Sequence, residues 1–228
     1  MIYTGTVMND GRKLFMSPYS LSYLTRSASS LNDSLPIIDA IDIHRMFAQY
    51  DPDQLLLSNV LGINATFPII LPVTKFPSEP TMEVLDAGLR DNFGIETSSR
   101  YLLAIQEWLA QNVEQIILLQ IRDTRDYLPS KINTSSSFID MISGPLTVIQ
   151  SKWSSFQTNQ QGYTIDALIQ KFDSTFLKHY TLYFEDKKIE VPLNFHLTER
   201  EKQSLLNAVF THHNQGVFRK IQKQILQK

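Results

Sequence analysis

Between Met82 and Ile121 an apolar run stops at a carboxylate, a polar turn follows, and two further apolar segments complete a strand–helix–strand pattern. The first run, Met82-Glu83-Val84-Leu85, enters Asp86-Ala87-Gly88-Leu89-Arg90-Asp91-Asn92-Phe93-Gly94, a turn bracketed by two glycines six positions apart. A helix-like stretch from Ile95 to Val113 carries Tyr101, Leu102, Ile105, Trp108 and Leu109. Ile116-Ile117-Leu118-Leu119 is a short continuous apolar run, the pattern of a strand buried on both faces. This order predicts one right-handed crossover of a parallel sheet, and with it an α/β fold. Asp86 then falls at the carboxyl end of the first strand, the edge where open α/β sheets collect their reactive groups. Asp and Gly are also the ordinary turn residues after a strand, so both roles are open to Asp86 on this pattern alone.

The 228 residues suffice for one sizeable domain, and two are not required. A hydrophobic content of 43% with 19% charged residues belongs to a globular chain. The formal net charge of −2 offers no general attraction to nucleic acid, and none is expected as a partner. With no cysteine, disulfides, thiol nucleophiles and thiolate metal sites are excluded. No segment approaches the roughly 18 apolar residues of a membrane span, and the start MIYTGTVMNDGRK lacks the apolar core of a signal peptide. A cytoplasmic or peripheral membrane location is the expectation, with any leader on a longer product lying outside this sequence.

Elsewhere, Asn9-Asp10-Gly11 between Ile2–Val7 and Lys13–Met16 signals a hairpin. Ile37 to Phe47 reads as a strand end and a short helix. Asp51 and Pro52 suit the cap and first turn of a helix with Leu55, Leu56, Val60 and Leu61 on one face. In the second half, Asn133 to Ser137 reads as a loop, and Phe138 to Phe172 as helical pieces broken at Gly144-Pro145 and near Gly162. His179–Phe184 and Ile189–Phe195 read as two strands around a charged turn. Thr198 and Glu201 form a capping-box signature, with Leu205, Leu206, Val209 and Phe210 as the buried stripe beyond it. The last helix carries Val217, Ile221 and Ile225 at helical spacing.

Upstream of the Asp86 turn lies Asn64-Ala65-Thr66-Phe67-Pro68-Ile69-Ile70-Leu71-Pro72. An A-[ST]-x-P-type element followed by D-[GA]-G-x-x-x-N resembles the patatin-like phospholipases, most closely their bacterial members. The resemblance is densest from Asp39 to Tyr101. It implies a partial patatin-like three-layer sandwich with a largely parallel sheet over residues 1–130. A helix-rich extension with a β-hairpin, packed on the same domain, would occupy residues 131–228. It also implies that Asp86 is the general base of a Ser-Asp dyad, with Gly88 and Asn92 at the motif's second Gly and its Asn. Thr66 and Pro68 would support it from the upstream element.

The family's nucleophile sits in a G-x-S-x-G elbow, which needs glycines four positions apart. No two of the eight glycines have that spacing, nor the spacings of G-x-G-x-x-G or of a P-loop, and the family's Gly-rich oxyanion loop is absent too. The chain therefore reads as the base-bearing part of a lipid acyl hydrolase whose Ser lies outside it, inactive alone and needing no cofactor. Its expected partners are a lipid acyl ester and either the missing N-terminal half or a second copy. The alternative is a non-catalytic patatin-like module that binds lipid or protein.

The remaining candidates have plainer roles. His212-His213 has no carboxylate or His three or four positions away, and His44 is followed by Arg45, so no metal site is expected. Arg90 and Asp91 read as a solvated pair or as residues shaping the site entrance, and Glu96 as favourable to a helix dipole. Arg219, Lys220, Lys223 and Lys228 make the tail basic: a solvated helix face, or a contact for anionic lipid headgroups.

Overall fold

A computed structural model describes residues 1–26, 37–49, 51, 55–66, 72–123, 138–184 and 196–226. They form an α/β protein that divides into two compact units, Met1–Trp108 and Leu109–Lys228. The expected division at residue 130 falls outside the described residues.

The first unit is built on a five-stranded sheet. Strands β1 (Tyr3–Val7) and β2 (Lys13–Met16) form the hairpin that Asn9-Asp10-Gly11 predicts, with Tyr3 opposite Met16. Strand β3 (Ala40–Asp42) runs parallel to β2 and leads into helix α1 (Ile43–Met46), capped by Asp42 through His44 N at 3.1 Å. Helix α2 (Leu57–Asn64) precedes strands β4 (Thr74–Phe76) and β5 (Met82–Leu85). The sheet order is β3-β2-β1-β5-β4. Its faces are covered separately. Leu14 and Met16 join Val7, Ile43, Val60, Ile63, Phe76, Met82 and Val84 in one cluster. Phe15 points the other way, to Leu21, Leu24 and Ala40, as the two-residue period of a strand requires.

This sheet corrects the expectation of a largely parallel one. Only the β2–β3 pairing is parallel, while β1–β2, β1–β5 and β4–β5 are antiparallel. No crossover links Met82 to Ile121 within one sheet. Strand β5 already has neighbours on both edges, and the run at Ile116 belongs to the other unit's sheet.

Helix α2 begins at Leu57, and Pro52 lies outside the described residues; the helix's buried face is Val60 and Ile63, with Leu56 and Leu61 exposed. After β5 come a single turn, α3 (Gly88–Asp91), and then α4 (Ile95–Ala104) and α5 (Gln106–Asn112), separated at Ile105. The long helix expected there is thus two, and Tyr101 and Trp108 are exposed.

In the second unit β6 (Ile116–Arg122) and β7 (Leu177–Tyr183) pair in parallel, Ile116 opposite Leu177. Between them in sequence is α6 (Phe138–Phe172), a helix of 35 residues that passes through Gly144, Pro145 and Gly162 without the expected breaks. Its last two turns hold Ala167, Leu168, Gln170 and Lys171, good helix formers, and bury Leu168. Strand β6 is half-buried at Ile116, Ile117 and Leu118, and toward its end one face is buried at Gln120 and Arg122 and the other exposed at Leu119 and Ile121, against the expectation of burial on both sides. The expected partner strand of β7, Ile189–Phe195, and the loop at Asn133–Ser137 lie outside the described residues.

Helix α7 (Glu199–Ala208) carries the expected capping box, Glu201 N to Thr198 Oγ1 at 3.3 Å and Thr198 N to Glu201 Oε2 at 2.6 Å. Its buried residues are Ser204 and Ala208, one position round from the expected stripe; Leu206 and Phe210 are exposed. Helix α8 (His212–Leu226) buries Asn214 and Val217. Among the described residues no helix is long and apolar enough to cross a membrane.

Candidate functional site

Asp86 follows β5 directly, and three hydrogen bonds fix its backbone and side chain. Its N–H donates to the Thr66 carbonyl at 3.1 Å, and its carbonyl accepts from Thr6 Oγ1 at 2.9 Å. Its Oδ1 accepts from the Gly88 N–H at 3.0 Å, an Asx-type turn that aims the carboxylate. The side chain is half-buried, and among the described residues no cation pairs with it. Burial pushes its pKa above the usual carboxylate value, and the Gly88 N–H offsets only part of that rise.

Gly88 allows this turn its close approach. A Cβ there would lie 3.1 Å from Asp86 Oδ1 and 3.5 Å from Asn92 Oδ1. Asn92 is exposed, and its Oδ1, like Asp86 Oδ1, lies close to where that Cβ would stand. Thr66 contributes its carbonyl; its own hydroxyl is buried and donates to Gly62 O at 2.9 Å, with Thr74 Oγ1 3.3 Å away. The structure thus gathers Asp86, Gly88, Asn92 and Thr66 at one place, and Pro68 lies outside the described residues.

The same loop is tied to a buried lysine of the hairpin. Lys13 on β2 is 1% exposed, and its ammonium reaches Asp91 Oδ2 at 2.8 Å, Thr97 Oγ1 at 3.0 Å and Glu96 Oε2 at 3.3 Å. Asp91 is not a solvated residue: it too is buried, and it caps α4, accepting from Glu96 N at 3.2 Å and Thr97 N at 2.9 Å. Gly94 makes the corner between α3 and α4 with φ 69°, a left-handed conformation that an L side chain rarely adopts. Burial alone would raise the Asp91 pKa; the Lys13 charge and the Lys13 and Thr97 hydrogen bonds outweigh it and hold Asp91 below the usual range.

Further charges lie next to Glu96. Arg100 bonds both Asp39 oxygens and Glu96 Oε1, the latter at 2.6 Å, and Arg90 lies 3.5 Å from Asp39 Oδ2. Burial would raise the Asp39 pKa as well, and Arg100 with Arg90 reverses the shift. The signal for this cluster was present at Lys13, a charge at the head of the buried strand Lys13-Leu14-Phe15-Met16. Such a residue demands a partner.

A cleft of about 510 Å³ opens on the first unit between α1, α2 and β4. Ile43, Phe47, Leu55, Ile63 and Phe76 make its apolar wall; Ser58, Asn59 and Lys75 supply polar atoms. Asp86 is not among its lining residues, although Thr74 and Ile63 of the wall neighbour the Thr66 segment. Away from this region, His44 Nε2 is satisfied by Ser17 O at 2.7 Å, and His213 packs on Tyr183 with its Nε2 2.9 Å from Thr181 O. No family model, curated protein or solved structure matches the chain.

Proposed function

We propose that this chain carries the general base of a lipid acyl hydrolase, with Asp86 as the base of a Ser-Asp dyad whose serine lies outside it. The observation that carries the reading is the state of Asp86: half-buried, uncompensated by any described cation, and held by one backbone N–H on one oxygen. A serine hydroxyl is a weak nucleophile at neutral pH until a base takes its proton. A carboxylate at its free pKa of ~4 takes that proton poorly, and desolvation brings its basicity closer to the task. With Gly88 holding Oδ1, the second oxygen is left for the proton. Donors for the tetrahedral oxyanion would come with the serine.

A second reading has its own support. The mixed sheet of the first unit departs from the largely parallel one the resemblance implies, and its apolar cleft is free to take a ligand without chemistry. In that case the chain is a non-catalytic module for lipid or protein, and Asp86 is a turn residue.

A fluorophosphonate probe with intact-mass readout on the native gene product separates the two. One adduct on a product heavier than this chain, with hydrolysis abolished by Asp86→Asn in that product, supports the hydrolase. An unlabelled product of this chain's own mass removes it.

A further inference from the structure

Helix α8 and the chain leading into it contain no Asp or Glu from Lys202 to Lys228. The helix is fastened to β7 on one side. Asn214 accepts from Tyr183 N at 3.1 Å and donates to Tyr183 O at 2.7 Å and Ala208 O at 2.8 Å, and Val217 is buried one turn on. Beyond that anchor Ile221 and Gln224 stay half-buried, and the other side chains to Leu226 are exposed. Arg219, Lys220 and Lys223 are exposed and make no ion pair with any described residue. Phe218, Ile225 and Leu226 are 38%, 60% and 68% exposed. Phe218 and Leu226 are eight positions apart and so lie on one row of the helix, and Arg219 and Lys223 form the row beside it.

We infer that this flank of α8 is a docking surface for an anionic lipid bilayer. Uncompensated cations alone would suit any polyanion. Apolar side chains set in a row beside them suit an interface with anionic headgroups above and acyl chains below. The chain's net charge of −2 makes the attraction local to this helix. The surface is independent of Asp86 and of any hydrolysis.

The test is sedimentation of the whole chain with vesicles of phosphatidylglycerol and phosphatidylcholine in equal parts, against vesicles of phosphatidylcholine alone. Binding is expected to the first and not to the second, and to weaken as salt rises from 50 to about 500 mM. The triple variant Arg219→Glu/Lys220→Glu/Lys223→Glu, with unchanged Tm, is expected to lose roughly tenfold or more in partitioning. Phe218→Ser/Leu226→Ser, which keeps every charge, is expected to bind more weakly while retaining the salt dependence. Equal binding to both vesicles, or no loss in the triple variant, overturns the proposal. Tighter binding to heparin than to the anionic vesicles, unaffected by the Phe218→Ser/Leu226→Ser change, overturns it in favour of a soluble polyanion.

Discussion

Asp86 and Asp91 share one loop, and their surroundings drive them in opposite directions, Asp86 up by burial and Asp91 down because Lys13 outweighs burial. The difference is one of partners: Asp91 has a buried cation beside it, and Asp86 has none among the described residues. The consequences for stability are opposite in sign. For Asp86 the folded pKa lies above the unfolded one, so stability falls as pH rises from about 4 through the raised value. Asp86→Asn keeps an acceptor for the Gly88 N–H and removes the desolvated charge. The variant should therefore melt higher than wild type at pH 7, the gap closing near pH 4; a lower Tm at pH 7 would speak against an uncompensated Asp86. For Asp91 the folded pKa is depressed, so its contribution is present above pH ~4 and is lost as pH falls through the folded value. Lys13→Met leaves Asp91 buried without its cation, and denaturant unfolding at pH 7 should show a loss of about 3–5 kcal/mol that narrows in acid. Asp86 was legible as a carboxylate ending an apolar run. The burial of Asp91 was not, because its partner lies 78 residues away on another strand.

At the scale of elements, the fold was legible wherever a few adjacent residues decide the outcome. The hairpin at Asn9-Asp10-Gly11, the strand and short helix before Phe47, and the α7 capping box depend on residues in direct succession. Replacing Thr198 with Ala removes the acceptor for Glu201 N and should cost about 1 kcal/mol, measured by denaturant unfolding. Which face of each helix turns inward was read less well, on α7 and α2 alike. On α7 the small Ser204 and Ala208 face inward and leave Leu206 and Phe210 outside, an arrangement set by the neighbouring surface and invisible to hydrophobicity alone. The Pro145 break failed for a related reason: helix geometry around a proline is decided by the rest of the helix as well as by its own ring.

Sheet pairing is a property of the whole molecule, and there the pattern misled. Strand, helix, strand over Met82–Ile121 reads as a parallel crossover, yet β5 finds its partners in β1, some 78 residues earlier, and in β4, just before it. Periodicity carries no information about such choices. On the hydrolase reading the chain alone lacks half of the chemistry, so incubation with p-nitrophenyl esters should give no turnover above background, and robust turnover would overturn the divided site. The Lys13–Asp91 bond also makes the shape of this loop depend on a distant segment. The loop that aims Asp86 is tied at Asp91 to β2, at Asp86 itself to Thr6 and to Thr66, and so to three segments made before it in synthesis. It does not take its shape from local contacts alone, because two of these ties are to the β1–β2 hairpin and the third is to the segment after α2. Amide exchange at Thr97 should then track the opening of the entire first unit and not the fraying of a surface turn.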